Sequence, residues 1–505
     1  ANILIHASDD GGFEERKSFE PAEEVPERGS QSDLQNLNRL CMGTVLSFLP
    51  EQDIKKIQHT CQYANEIGDK MRSIRYMNLS TEDRNATFFK AAQQGCLRTI
   101  NLLLCLPKDF CPGINSTDTD GYTALIFASQ NGHTDIATLL ISRGANVNIQ
   151  DAKGRTALIF ASLNGHRDIV KLLIDHGVWI GINNQERGNT ALMAASLNGH
   201  TNTARLLMDH GANVDIQTYQ GETALILASQ NDHTNTARLL INHGANIDLQ
   251  DEYGCTALIK ASINGYIDTI ELLLKHGANV NLTDEDGYRA LSYASLNGHE
   301  RIVKILLDYG TDINFRIEHN NTALILAAYK CHYSVIELLL NRGAHINTQG
   351  QDDITALMEA SRYGNIDTIK LLLNHRANVN LQNYDGTTAL IMAAIFNKES
   401  VVKLLLDNGA NPNLQSEFGN TAFIWAMQNG YVNIVRLLLP ITNNIDKPGY
   451  GGNSPAVNAD NLGHHEIAQM IRNEIANRRR RFTSRDVSII SRSRSQHQQP
   501  TCTIQ

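Results

Sequence analysis

Thr123-Ala124-Leu125-Ile126-Phe127-Ala128-Ser129-Gln130-Asn131-Gly132-His133 is the stretch that decides the fold, because it returns along the chain at a nearly constant interval. Its opening threonine recurs at Thr156, Thr190, Thr223, Thr256, Thr322, Thr355, Thr388 and Thr421, and Arg289 and Ser454 hold the register in two divergent copies. The interval is 33 residues, with one step of 34 between Thr156 and Thr190. A fixed period of this length means a stack of small units, none of which can bury its apolar face without a neighbour. Such a stack predicts an extended binding surface rather than a catalytic centre.

Each unit can be built from its residues. The hydroxyl of Thr123 can accept from an unpartnered amide in the first turn of a helix. Leu125, Ile126, Ala128 and Ser129 follow, the two small residues letting neighbouring helices lie close. Gly132 and His133 break the chain, and Ile136, Leu139 and Leu140 form the apolar stripe of a second helix. Gly144 stands just past that helix, where a left-handed backbone suits glycine. Asp151-Ala152-Lys153-Gly154 then reads as a turn.

Two short helices, a Gly-Ala-Asn-Val-Asn exit and an Asp-x-x-Gly turn at this period resemble the ankyrin repeat. The resemblance covers residues 85–475, with a divergent first unit near Thr87, ten clear units from Thr123 and a degenerate last one from Ser454. It implies an all-α solenoid of about 12 helix-turn-helix units, each closed by a β-turn. The chain departs from the family's Thr-Pro-Leu-His by writing Thr-Ala-Leu-Ile. Weaker capping is therefore expected, offset by burial of Ile126, Ile159, Ile226, Ile259, Ile325 and Ile391 at about 1.5–3 kcal/mol each. Weak joints are expected at Arg376, which stands where glycine should end a helix, at Val178-Trp179 beside the inserted residue, and at Pro440.

Partner contacts are expected from the inner face of the first helices. One row reads Phe127, Phe160, Ala194, Leu227, Lys260, Tyr293, Leu326, Glu359, Met392 and Trp425, and its main role should be packing between repeats. The adjacent row reads Gln130, Leu163, Leu197, Gln230, Ile263, Leu296, Tyr329, Arg362, Ile395 and Gln428. From the two we take Leu163, Leu197, Ile263, Leu296, Tyr329, Arg362, Ile395 and Trp425 as the candidate partner-binding groove.

The segment before the repeats has its own pattern. Residues 1–33 are acidic and polar and are expected to be a disordered tail. Residues 34–80 open an apolar-periodic stretch through Val45-Leu46-Ser47-Phe48-Leu49-Pro50, then Asp53-Ile54 and Cys61. Physically these are two or three short helices, able to cap the end of a repeat stack. They also resemble an F-box: Leu37, Val45, Leu46, Leu49, Pro50, Asp53, Ile54 and Cys61 fall on its positions, while Asn38 and Ala64 depart from it. The resemblance implies docking on the Skp-type adaptor of a cullin–RING ubiquitin ligase through Leu37, Val45, Leu46, Leu49, Pro50 and Ile54, with the repeats selecting the substrate.

At the other end, residues 476–505 are expected to be a disordered basic tail. It starts with Arg478-Arg479-Arg480-Arg481 and ends Cys502-Thr503-Ile504-Gln505. That ending resembles a C-a-a-X signal, which implies a farnesylated Cys502. One lipid chain anchors marginally, and the arginine cluster would add attraction to an anionic membrane surface. The alternative is a plain arginine/serine tail. This three-part order resembles effectors that intracellular bacteria deliver into host cytoplasm.

Composition bounds the rest. A net charge of -9 sets no partner class by itself. The eight cysteines (41, 61, 96, 105, 111, 255, 331 and 502) form no C-x-x-C pair, which suits a reducing compartment better than disulfides or structural zinc. No apolar run approaches the length of a membrane span. The recurring His133, His166, His200, His233, His299 and His464 share one repeat position and sit too far apart for one metal. No phosphate-binding glycine loop or G-x-S-x-G is present, so neither enzyme activity nor a cofactor is expected. A single aromatic in the basic tail, Phe482, argues against a nucleic-acid module.

Overall fold

The structure is a computed structural model that describes residues 65–66, 68–179, 188–317, 319–447 and 452–495, with side chains as far as Arg481. The expected acidic tail, the F-box-like positions Leu37, Val45, Leu46, Leu49, Pro50 and Ile54, and Cys502 lie outside the described residues. The described residues divide into two compact bodies, residues up to 81 with 102–111, and residues 82–101 with those from 112 onward. What is described of the smaller body is a helical segment over 68–77, where Arg72 pairs with Asp69 at 3.0 Å, and the loop after Leu104.

The larger body is built from helix pairs. Among the described residues twelve pairs follow one another, from Thr81–Gln93 with Leu97–Leu104 to Pro455–Asn461 with His465–Ser495. Counting these as repeats 1 and 12, Thr123 opens repeat 2 and Thr421 opens repeat 11. From repeat 2 onward first helices pack on first helices of adjacent repeats, and each also packs on the second helix of its own pair. Among the described residues the only extended pairing is in isolated bridges, Thr117 with Thr123 and Gln150 with Thr156.

The threonines cap as their chemistry requires. Thr123 Oγ1 accepts from the Ile126 amide at 3.1 Å, and Thr156, Thr190, Thr223, Thr256, Thr355, Thr388 and Thr421 make the same bond in their repeats. Thr322 departs: its hydroxyl is buried without a hydrogen-bond partner. The isoleucines that replace the family's histidine are all in the core, Ile126, Ile226, Ile259 and Ile391 at 1% exposure and Ile159 and Ile325 at 4%.

The histidines turn out to join repeats. His200 Nε2–H donates to the Leu163 carbonyl at 3.0 Å, reaching back across the boundary to the end of the preceding first helix. His133, His166, His233, His299, His332 and His464 repeat the bond onto Gln93, Gln130, Leu197, Ile263, Leu296 and Gln428. Each imidazole lies on a glycine of the preceding repeat. At Gly165, whose φ is +73°, an added Cβ would stand 2.6 Å from His200 Nδ1. The chain respects this exclusion. Where the glycine is replaced by Asp232, Cys331 or Asn397, all at positive φ, the next repeat has Tyr266, Asn365 or Tyr431 instead of histidine.

A second ladder runs along the exit loops. Asn148 Oδ1 accepts from the Trp179 amide of the next repeat, and Asp215, Asp248, Asn314, Asn347, Asn380 and Asn413 accept in the same way. Asn281 is diverted to Arg289, which stands where other repeats carry the capping threonine.

At the expected weak joints, Arg376 takes the left-handed conformation with φ +67°, and Trp179 is 68% exposed. The second helix of repeat 11, Val432–Leu438, stops two residues before Pro440; Leu439 keeps helical angles (φ -54°, ψ -42°), and the proline ends the ladder by lacking the amide that the next turn would need.

One boundary needs correction. Regular structure was expected to end at residue 475, yet the last helix continues as His465–Ser495. Arg478, counted above in the polybasic patch, is turned into the protein. Its guanidinium donates to the Leu439 carbonyl at 2.7 Å, the Thr442 carbonyl at 2.9 Å and Glu474 at 3.0 Å. It thereby fills acceptors left over where the preceding second helix ends. Among the described residues no helix is long and apolar enough to cross a membrane.

Candidate protein-binding groove

The first helices present two rows on the inner face, separated by the 3.6-residue period of the helix. In the first row Phe160, Ala194, Leu227, Leu326 and Glu359 are buried, while Phe127, Lys260, Tyr293, Met392 and Trp425 are half-buried. Two of its polar members are satisfied by the turn of their own repeat. Lys260 pairs with the buried Asp251 at 2.9 Å, and Tyr293 donates to Asp284 at 2.6 Å. Burial, the largest single influence, opposes the charge on Lys260, but the bond to Asp251 together with the charges of Asp251, Glu222 and Cys255 outweighs it and leaves the ammonium pushed up. Cys255, buried in the same region, has its thiol pushed up to about 12 by burial.

At repeats 1 to 3 this row is an aromatic cluster. Tyr122 stacks on Phe127 with ring centres 5.1 Å apart, and Phe89 and Phe160 extend the contact. Arg155 closes it, 4.6 Å over Phe160, with its charge met by Asp151 at 2.7 Å.

The second row is more open. Leu163, Leu197, Ile263, Tyr329, Arg362 and Ile395 are all half-buried, as are Gln130 and Gln230, and Gln428 is exposed. Leu296 is a correction. At 6% exposure it belongs to a core cluster with Ile317 and Leu326, covered by Tyr288, Phe315 and Tyr329. The divergent turns of this repeat and the next supply Tyr288 and Phe315, the helix Ala323–Tyr329 supplies the third ring, and together they fill the groove there. Arg289 stacks 3.3 Å over Phe315 beside them. Trp425 is half-buried, and its indole nitrogen has no hydrogen-bond partner.

Two groove residues escaped the reading by rows. Tyr363 and Phe396 follow Arg362 and Ile395 directly and are 43% and 40% exposed. Their signal lay in the repeat register. The equivalent residue is Asn131, Asn164, Asn198, Asn231, Asn264, Asn297 and Asn429 elsewhere, but Lys330, Tyr363 and Phe396 in repeats 8, 9 and 10. The asparagines bond carbonyls at the ends of first helices, as Asn131 does to Phe127 at 2.8 Å and Asn297 to Ile263 at 2.9 Å. Among the described residues no group of histidine, cysteine, aspartate or glutamate side chains is placed to hold a metal ion.

Comparison with known proteins accords with this geometry. The family model for ankyrin repeats (3 copies) matches in overlapping segments from residues 88–184 to residues 392–480. No curated protein sequence matches the chain. Among solved structures, the human ASB11 ankyrin repeat domain is 28% identical, covering 44% of this chain and 100% of its own, with a TM-score of 0.41. An interaction scaffold is what this fold provides. By its periodic sequence, its stacked helix pairs and the family model that spans them, the chain belongs to the ankyrin repeat family.

Proposed function

We propose that the protein is a non-enzymatic adaptor, holding a partner segment along the inner groove and linking it to a ubiquitin ligase. The observation that carries the first half is the second row. Side chains as apolar as Leu163, Leu197, Ile263 and Ile395 stay half-buried, although Phe160 and Ala194, the first-row neighbours of Leu163 and Leu197, are buried. Apolar surface left open in patches along one face is what protein partners cover. Substituting Tyr329→Ala with Ile395→Ala should weaken the partner without melting the stack. Equal loss of folding would place both in the core.

The ligase half rests on the F-box-like match of Leu37, Val45, Leu46, Leu49, Pro50, Asp53, Ile54 and Cys61. Its test is a pull-down of purified Skp-type adaptor and cullin by the full chain, compared with Leu46→Ala/Leu49→Ala/Pro50→Ala. Recovery by the wild type alone supports a substrate receptor. Recovery by neither leaves a plain scaffold whose N-terminal helices cap the stack. Attachment to an anionic membrane through farnesylated Cys502 completes the proposal, and Cys502→Ser should then move the protein to the soluble fraction of a eukaryotic cell. An unchanged distribution in a cell with prenyltransferase would refute the anchor.

A further inference from the structure

Repeats 8, 9 and 10 break the register together. Where seven other repeats carry asparagine they place Lys330, Tyr363 and Phe396, exchanging a structural hydrogen bond for exposed aromatic and cationic surface. The same three repeats put Tyr329, Arg362 and Ile395 in the second row. The rings and charges are arranged against each other. The Arg362 guanidinium lies 5.1 Å from the Phe396 ring centre and 5.8 Å from that of Tyr363, and Lys330 Nζ lies 5.0 Å over Tyr329. Tyr329 and Tyr363 meet edge to face at 5.7 Å.

Charge pairing separates this patch from the cations of repeats 3 and 6. Arg155 and Lys260 are neutralised by Asp151 and Asp251 from the turns of their own repeats. In repeat 9 the position of Asp251 is occupied by Gly350, and no described carboxylate pairs with Arg362 or Lys330. Glu359, the nearest acid in the row, is 8% exposed, and its Oε2 has no hydrogen-bond partner. Burial pushes its carboxyl up, against the attraction of Arg362. The result is a guanidinium stacked on two rings whose N–H edge is, among the described residues, unclaimed. Such a group is preorganised for bidentate recognition of a carboxylate.

We propose that this face of repeats 8 to 10 docks an acidic segment of a partner protein. Arg362 receives an Asp or Glu carboxylate, and Tyr329, Tyr363 and Ile395 take an adjoining apolar side chain. The inference rests on the groove reading above and adds the chemistry of its occupant.

The test is selection of short random peptides displayed on phage against the full-length chain. Binders are then titrated against wild type, Arg362→Gln, Arg362→Lys and Tyr329→Ala/Ile395→Ala, each checked for folding by its thermal melt. The expected binders share an Asp or Glu beside an apolar residue and lose about ten- to hundredfold in affinity with Arg362→Gln. Arg362→Lys should recover part of that loss, because it keeps the charge without the fork. Binders that lack an acidic residue but depend on Tyr329 and Ile395 would overturn the acidic assignment and leave the groove standing. Binders indifferent to every substitution, or none at all, would overturn both.

Discussion

Gly165→Ala tests the contact that joins one repeat to the next. The added methyl meets two penalties. At φ +73° an L-residue costs about 1–2 kcal/mol relative to glycine. The methyl would also stand 2.6 Å from His200 Nδ1 and 2.8 Å from Cε1, so the ring must leave. Displacing it breaks the 3.0 Å bond to the Leu163 carbonyl, a further loss of about 1–2 kcal/mol at a half-buried acceptor. Together these predict about 2–4 kcal/mol at this boundary. Gly244→Ala is the control. Its φ is +84°, but a Cβ there meets nothing within 4 Å, so about 1–2 kcal/mol is expected.

A stack of repeats need not unfold in one step, so the readout should be local. Hydrogen exchange over the helices Ala157–Leu163 and Thr201–Asp209 reports the opening free energy on both sides of the boundary. Combining Gly165→Asn with His200→Tyr copies the Asn397 and Tyr431 pair and should recover at least about 1 kcal/mol over Gly165→Asn alone. Equal effects of the two alanine substitutions, or no recovery in the double variant, would refute the steric reasoning.

Other outcomes follow from individual contacts. Thr256→Val removes the bond to the Ile259 amide and should cost about 1 kcal/mol, whereas Thr322→Val deletes a hydroxyl without a partner and should be neutral or stabilising, both read by denaturant titration. Burial raises the Glu359 carboxyl, so the folded state holds that proton more tightly than the unfolded chain. Stability is therefore lost as pH rises from the usual glutamate range through the raised value, and Glu359→Gln should melt higher than wild type near about pH 7 with little difference near about pH 4. Arg478→Gln breaks the bonds to Leu439 and Thr442, and faster exchange is expected in the helices Pro455–Asn461 and Val432–Leu438. Unchanged exchange there would mean that Arg478 does not hold the last repeat.

The sequence by itself determined the repeat. Thr123 and its copies, the Ile126 series and the apolar stripes of the second helices act within one unit, through capping and periodicity, so they can be read from local spacing. The two inner rows were legible for the same reason. Only the tertiary structure decided what each row position does, because that depends on atoms one repeat away. His200 reads as a helix-breaking residue until its ring is placed on Gly165 and its nitrogen on the Leu163 carbonyl. Leu296 has the same row position as Ile263, yet Ile317 and Phe315 from the next turn bury it. Arg478 matches Arg479 in sequence, but the carbonyls of Leu439 and Thr442 claim it. Local propensity is written into neighbouring residues; burial and hydrogen-bond partnership belong to residues that meet only when the repeats stack.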